Sequence, residues 1–142
     1  MAKQLANSAR SPKVSGIAGH AIHGSPAVIL VVEDTEELRS CVAEYFRVVG
    51  FDVVAAENAG DALAAIDSGI HVDLVFTDIN MPGAIDGMGL ARWLSAHRPL
   101  LPIILTSGDP RPELEGSAPH YHFVRKPYSL DELEHDIRQM VS

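Results

Sequence analysis

The chain is short of several things, and each shortage excludes something. It has one cysteine, Cys41, in 142 residues, which rules out an intramolecular disulfide and a cysteine-rich zinc site. No apolar run approaches the ~18 residues that a membrane span needs. Bases are scarce: 11 Lys and Arg stand against 19 Asp and Glu, a net charge of −8. A nucleic-acid-binding module ordinarily carries the opposite balance. Lysine is scarcest of all. Beyond Lys13 the only one is Lys126, and every other base there is arginine. Three of the 11 bases, Lys3, Arg10 and Lys13, fall in the first 25 residues, which hold no acid, so the remainder sets 8 bases against all 19 acids. The rest is ordinary: 46% hydrophobic and 21% charged residues, in a length that suits one domain with a real core.

Residues 1–25 are rich in Ser, Ala, Gly and His and follow no helical or strand period, so they are expected to form a flexible N-terminal extension. They contain no apolar core of the ~7–15 residues that a secretory signal requires. From residue 26 to 142 short apolar runs alternate with segments of helical period. Ala27–Val32 is a continuous apolar run, the mark of a strand covered on both faces. Glu36–Val49 sets Leu38, Val42, Tyr45, Phe46 and Val49 on one stripe, with Gly50 as the stop. Cys41 is expected on the inward side of that helix, buried and inert. Phe51–Ala56, Val72–Thr77, Leu101–Thr106 and Tyr121–Arg125 read as further strands. Ala59–Asp67 and Gly87–His97 read as helices, the latter carrying Leu90 and Leu94, with Trp93 half-buried beside them. A last helix starts at Ser129, with Glu132 three residues on as a capping box.

Five strands alternating with helices predict an α/β fold: a doubly wound, flavodoxin-like parallel sheet in the order 2-1-3-4-5, helices on both faces. The stretch between Thr106 and the fifth strand holds Pro110, Pro112, Pro119, Gly108 and Gly116, so the fourth helix is expected to be short or missing. Ligands of such sheets bind beyond the carboxyl ends of the strands. Those ends carry Glu33 and Asp34, Asp78, Thr106 and Ser107, and Lys126. Carboxylates crowded together raise one another's pKa unless a cation is present, and a hard divalent ion with oxygen ligands satisfies them. A lysine and a hydroxyl in the same crevice suit a phosphate. The constellation reads as an aspartate that accepts a phosphoryl group beside Mg²⁺. Taken singly, each residue has a plainer use: acids at a helix start, a turn aspartate, a strand threonine, a solvated lysine. Phe123 by itself reads as core. The seven histidines lack metal-ligand spacing, apart from a His120–His122 pair without a third ligand.

ILVVED at 29–34, DINMPG at 78–83 followed by Asp86-Gly87, ILTSG at 104–108 and VRKPY at 124–128 together resemble the receiver domain of bacterial two-component response regulators. The resemblance covers residues 27–141. It implies that Asp78 is the phosphoacceptor. It implies that Glu33 and Asp34 hold Mg²⁺, with Asp78 and the main-chain carbonyl of Asn80 as further ligands. Thr106 takes the place of the switch hydroxyl, Lys126 of the lysine that contacts the phosphate, and Phe123 of the switch aromatic. Pro127 stands where the family often has a cis bond. The acidic pair is Glu-Asp where Asp-Asp is commoner, and PGAIDG is one residue longer than the frequent loop. Ser107 stands where a small residue is usual. Gly108 carries no side chain with which to position or block a water.

The expectation is a stand-alone cytoplasmic receiver with no effector domain after Ser142. A sensor histidine kinase or phosphotransfer protein would phosphorylate it, output would pass to a downstream protein unless the domain serves as a phosphate sink or relay intermediate, and neither nucleic acid nor membrane would be a partner. Homodimer formation is left open. Beyond its own phosphorylation and dephosphorylation it is expected not to be an enzyme. Two rivals are an aspartyl-phosphate phosphatase or hydrolase and a degenerate receiver acting only as an interaction module. The first usually has a second Asp two residues past the nucleophile, where this chain has Asn80. The second has no need of the complete set of Glu33, Asp34, Asp78, Thr106 and Lys126.

Overall fold

The computed structural model describes residues 25–109 and 121–142. In these, β1 (Val28–Val32), β2 (Asp52–Ala56), β3 (Leu74–Asp78), β4 (Ile103–Ser107) and β5 (Tyr121–Arg125) form one five-stranded sheet in the order β2-β1-β3-β4-β5. All four pairings are parallel. The doubly wound α/β architecture expected from the alternation is the one observed. The extension 1–25, save its last residue, and the expected short or missing fourth helix lie outside the described residues.

β3 and β4 are buried along their whole length, which is what their unbroken apolar runs require of strands covered on both faces. Among the described residues four helices supply the cover: α1 (Glu36–Val48), α2 (Ala59–Asp67), α3 (Gly87–His97) and α4 (Leu130–Val141). Two cores result. Leu30, Val32, Val75, Ile103 and Leu105 pack with Ile66, Leu90 and Leu94 on the α2–α3 side, where Phe123 and Trp93 are half-buried against them. Ile29, Val31, Leu74, Phe76 and Ile104 pack with Val42, Phe46, Leu133 and Ile137 on the α1–α4 side. Alternate residues of each strand feed opposite cores, as a period of two demands.

Strand starts fall later than the apolar runs do. β3 opens at Leu74 because Asp73 bonds the adjacent strand from outside: its main-chain N–H donates to Val28 O at 2.8 Å, and its Oδ2 accepts from Val28 N at 2.8 Å. β4 opens after Pro102, which has no N–H to donate to a ladder, while Leu101 N closes a turn onto Arg98 O at 3.0 Å. Cys41 corrects an expectation. It is exposed, since it sits about 100° around the helix from Val42, on the flank of the stripe. α2, α3 and α4 are capped by side chains: Asn58, Asp86 and Ser129 accept from the main-chain N–H of Asp61, Gly89 and Glu132.

Candidate functional site

The parallel register lines up the carboxyl ends of β1, β3 and β4. Asp78 is the last residue of β3 and is paired with Thr106 of β4, while Val32 of β1 sits opposite Thr77. Glu33 and Asp34 follow directly, and Lys126 follows β5. Glu33, Asp78 and Thr106 are buried, at 4%, 5% and 1% exposure, so this end of the sheet encloses charge. One carboxylate oxygen from each of Glu33, Asp34 and Asp78 lies within 4.8 Å of the others. Asp34 and Asn80 are exposed at the mouth.

Among the described residues Lys126 is the one cation in ion-pair contact with this cluster, and it meets two of the three acids. Its Nζ donates to Asp78 Oδ2 at 2.7 Å and lies 3.6 Å from Glu33 Oε1. Burial pulls its pKa down, but the hydrogen bond and charge of Asp78, with Glu33 behind, outweigh burial and leave it raised. The Glu33 carboxyl is also raised. Burial is the main cause and the charge of Asp78 adds to it, against the Thr35 N–H, which donates to Oε2 at 3.1 Å, and the Lys126 ammonium. Three carboxylates against one ammonium leave excess negative charge. The donors are all hard oxygens, the set that a small divalent cation prefers. The residues therefore fit Mg²⁺, with Glu33, Asp34 and Asp78 as the side chains able to hold it.

The other expected residues gather here with one exception. The main-chain N–H of Asn80 donates to Asp78 Oδ1 at 3.1 Å. Thr106 Oγ1 is buried and has no hydrogen-bond partner among the described residues. The Lys126–Pro127 peptide bond is cis. Phe123 lies apart from the acids, packed against the α2–α3 core.

Several neighbours were not anticipated in these roles. Gly87 opens α3 against Asp78: a Cβ there would overlap the carbonyl oxygen of Asp78 and come within 2.8 Å of Ile79 Cα. Its N–H donates to Ile79 O at 2.9 Å. Arg39 Nη1 donates to the main-chain O of Glu33 at 2.8 Å, holding the acidic turn to α1. Ser107 accepts from Asn80 Nδ2 at 3.0 Å. Tyr128 packs edge-on to Phe76 with its hydroxyl buried and without a hydrogen-bond partner among the described residues. Burial first, then the charges of Glu33 and Asp78, push its pKa up. Three of the described histidines have partners away from the cluster: His71 meets Asp73, His122 meets Asp136, and His97 stacks on Trp93. His120 lies outside the described residues.

Residues 29–138 match the model of the response regulator receiver domain. The C4-dicarboxylate transport transcriptional regulatory protein DctD of Rhizobium meliloti is 33% identical over 118 residues, 81% of this chain and 25% of that protein. The regulatory protein AtoC of Escherichia coli is 32% identical over 74% of this chain and 23% of its own length. This chain thus spans about a quarter of these curated relatives. The response regulator TrrA of Thermotoga maritima, solved in complex with Mg²⁺-BeF, superposes with a TM-score of 0.73 at 30% identity, covering 80% of this chain and 98% of that one. The receiver domain of the hybrid histidine kinase CckA gives 0.69 at 28% identity, over 82% and 100%. With its fold, its match over residues 29–138 and these likenesses agreeing, the chain belongs to the response regulator receiver family of two-component signalling.

Proposed function

We propose that the chain is a phosphorylation-dependent switch that takes a phosphoryl group onto Asp78 in the presence of Mg²⁺. Residues 26–142 would be the receiver unit and 1–25 an extension of it. The observation that carries this reading is a buried carboxylate, Asp78, flanked by the ammonium of Lys126 and by a buried hydroxyl, Thr106, with no partner among the described residues.

In the transfer, a carboxylate oxygen of Asp78 attacks phosphorus and the bond from phosphorus to a histidine nitrogen of the donor breaks. That nitrogen keeps the bonding pair, and an acyl phosphate forms. Glu33, Asp34, Asp78 and the carbonyl of Asn80 would hold Mg²⁺, which when bound would neutralise charge on the transferring oxygens. Lys126 balances Asp78 before transfer and is within reach of the new phosphoryl oxygens after it. Thr106 supplies a donor to one of them, which satisfies its orphan hydroxyl. A local charge change of this kind biases a two-state element, here the end of β4 and Phe123 beside it on β5. The donor would be a sensor histidine kinase or phosphotransfer protein, and the output a partner protein. No catalysis beyond the chain's own phosphorylation and dephosphorylation is proposed.

Incubation with acetyl phosphate and Mg²⁺, followed by intact mass, tests this. The wild type is expected to gain one phosphoryl group and Asp78→Asn none. No gain in the wild type, or an equal gain in the variant, overturns the reading. Steady turnover of phosphomonoesters would favour a phosphatase instead.

A further inference from the structure

Ser107 ends β4 and is fully buried, yet its hydroxyl serves two groups outside its own strand. Asn80 Nδ2 donates to it at 3.0 Å and the main-chain N–H of Asp109 at 2.9 Å. A serine oxygen has two lone pairs, and both are in use. Asn80 is exposed, and an exposed amide side chain would ordinarily turn freely in water, at an entropic cost if it were fixed. Here it is tied down, and so is its main chain, whose N–H donates to Asp78 Oδ1 at 3.1 Å. Residue 80 is thus held at two points, one on β3 and one on β4, and its carbonyl is bonded to the Cα that carries the tied side chain.

We infer that Ser107 is a positioning residue for cation binding. Through the Asn80 side chain it fixes the main chain after Asp78, and with it the Asn80 carbonyl. The inference deepens the Mg²⁺-dependent reading of this site and rests on it. Mg²⁺ demands near-ideal octahedral placement of its ligands, so a carbonyl on a loop free to rock is a poorer ligand than one on a residue tied by both its N–H and its side chain. The clamp uses a hydroxyl, so alanine, the nearest smaller residue, cannot replace it. It also leaves the carboxylates untouched, so affinity should fall without being lost.

The test is a double-mutant cycle read by calorimetric titration of Mg²⁺ into the full chain. Ser107→Ala and Asn80→Ala, which keeps its main-chain carbonyl, are each expected to weaken Mg²⁺ by about tenfold, the lower end for partners that orient a metal ligand. The double variant is expected to be no weaker than either single one, because both remove the same bond. Wild-type affinity in Ser107→Ala, or losses that multiply in the double variant, would overturn the inference. Thermal unfolding without Mg²⁺ identifies a variant that has lost its fold, and Ser107→Cys, of similar volume but a poor acceptor, then replaces Ser107→Ala in the cycle. If Asp78 is phosphorylated and the wild type binds Mg²⁺ while the cycle shows no coupling, only the positioning role fails. If the wild type binds no Mg²⁺, both readings fail together.

Discussion

Asp78, the proposed acceptor, is shaped by a residue with no side chain. Gly87 touches the Asp78 carbonyl so closely that a methyl group would displace the end of β3 or the start of α3. Gly87→Ala is expected to lower stability by about 1–3 kcal/mol, the usual cost of overpacking, in urea unfolding, and to slow acetyl-phosphate labelling of Asp78. Unchanged labelling in a destabilised variant would show that the strain is absorbed by α3 alone. Glu33 makes a contrasting case. It is buried with a raised pKa, so between its ordinary value of 4.5 and the higher folded value the folded chain holds the proton more tightly. Stability without a divalent cation therefore falls as pH rises through that window. Glu33→Gln is expected to flatten the fall and to raise the melting temperature at neutral pH without the cation, which a thermal scan at several pH values would show.

At the scale of elements, α3 shows how local signals place the site. Asp86 accepts from Gly89 N at 2.9 Å as the N-cap, and the helix it starts carries Gly87 against Asp78. Asp86→Ala is expected to cost about 1 kcal/mol in denaturant unfolding, as lost caps do, and to leave Mg²⁺ affinity nearly unchanged because Asp86 holds no cation. The five strands and their order were legible because each apolar run is short, continuous and followed by helical period. The acids, Thr106 and Lys126 were legible because topology sends strand ends to one crevice. What stayed hidden depends on approach through space. Nothing in the spacing of Gly87 says that a carbonyl will lie against it, and nothing about Ser107 says that an asparagine 27 positions away will reach it. The misplacement of Cys41 has another cause: a helical stripe has flanks, and periodicity does not say how far the neighbouring elements extend over them.

Across the whole molecule, the net charge of −8 has two parts. Much of it is dispersed over solvent-facing helix surfaces such as those of α1 and α4. A compact share sits at Glu33, Asp34 and Asp78, where one lysine leaves it undercompensated. Ordinary salt screens the first part, whereas a bound divalent cation relieves the second. Mg²⁺ is therefore expected to stabilise the chain by about 1.4 kcal/mol for each tenfold excess of free ion over Kd, in thermal unfolding at constant ionic strength. Glu33→Gln should lose most of that gain. An equal effect from matched NaCl would assign the gain to general screening.

The pairing of Asp78 with Thr106 across adjacent strands makes the ladder a gauge. The gap between the main chains that carry Asp78 and Thr106 is one inter-strand spacing, about 4.8 Å, kept by main-chain hydrogen bonds that do not depend on which apolar side chains lie beneath. Interior substitutions at Val75, Phe76, Ile104 or Leu105 can make the protein softer while the gauge keeps its length. A slip of one residue is different in kind. It would bring Ile79 opposite Thr106 and turn the two site residues to opposite faces. Evolution can therefore revise the interior gradually, but it can change this dimension only in whole steps.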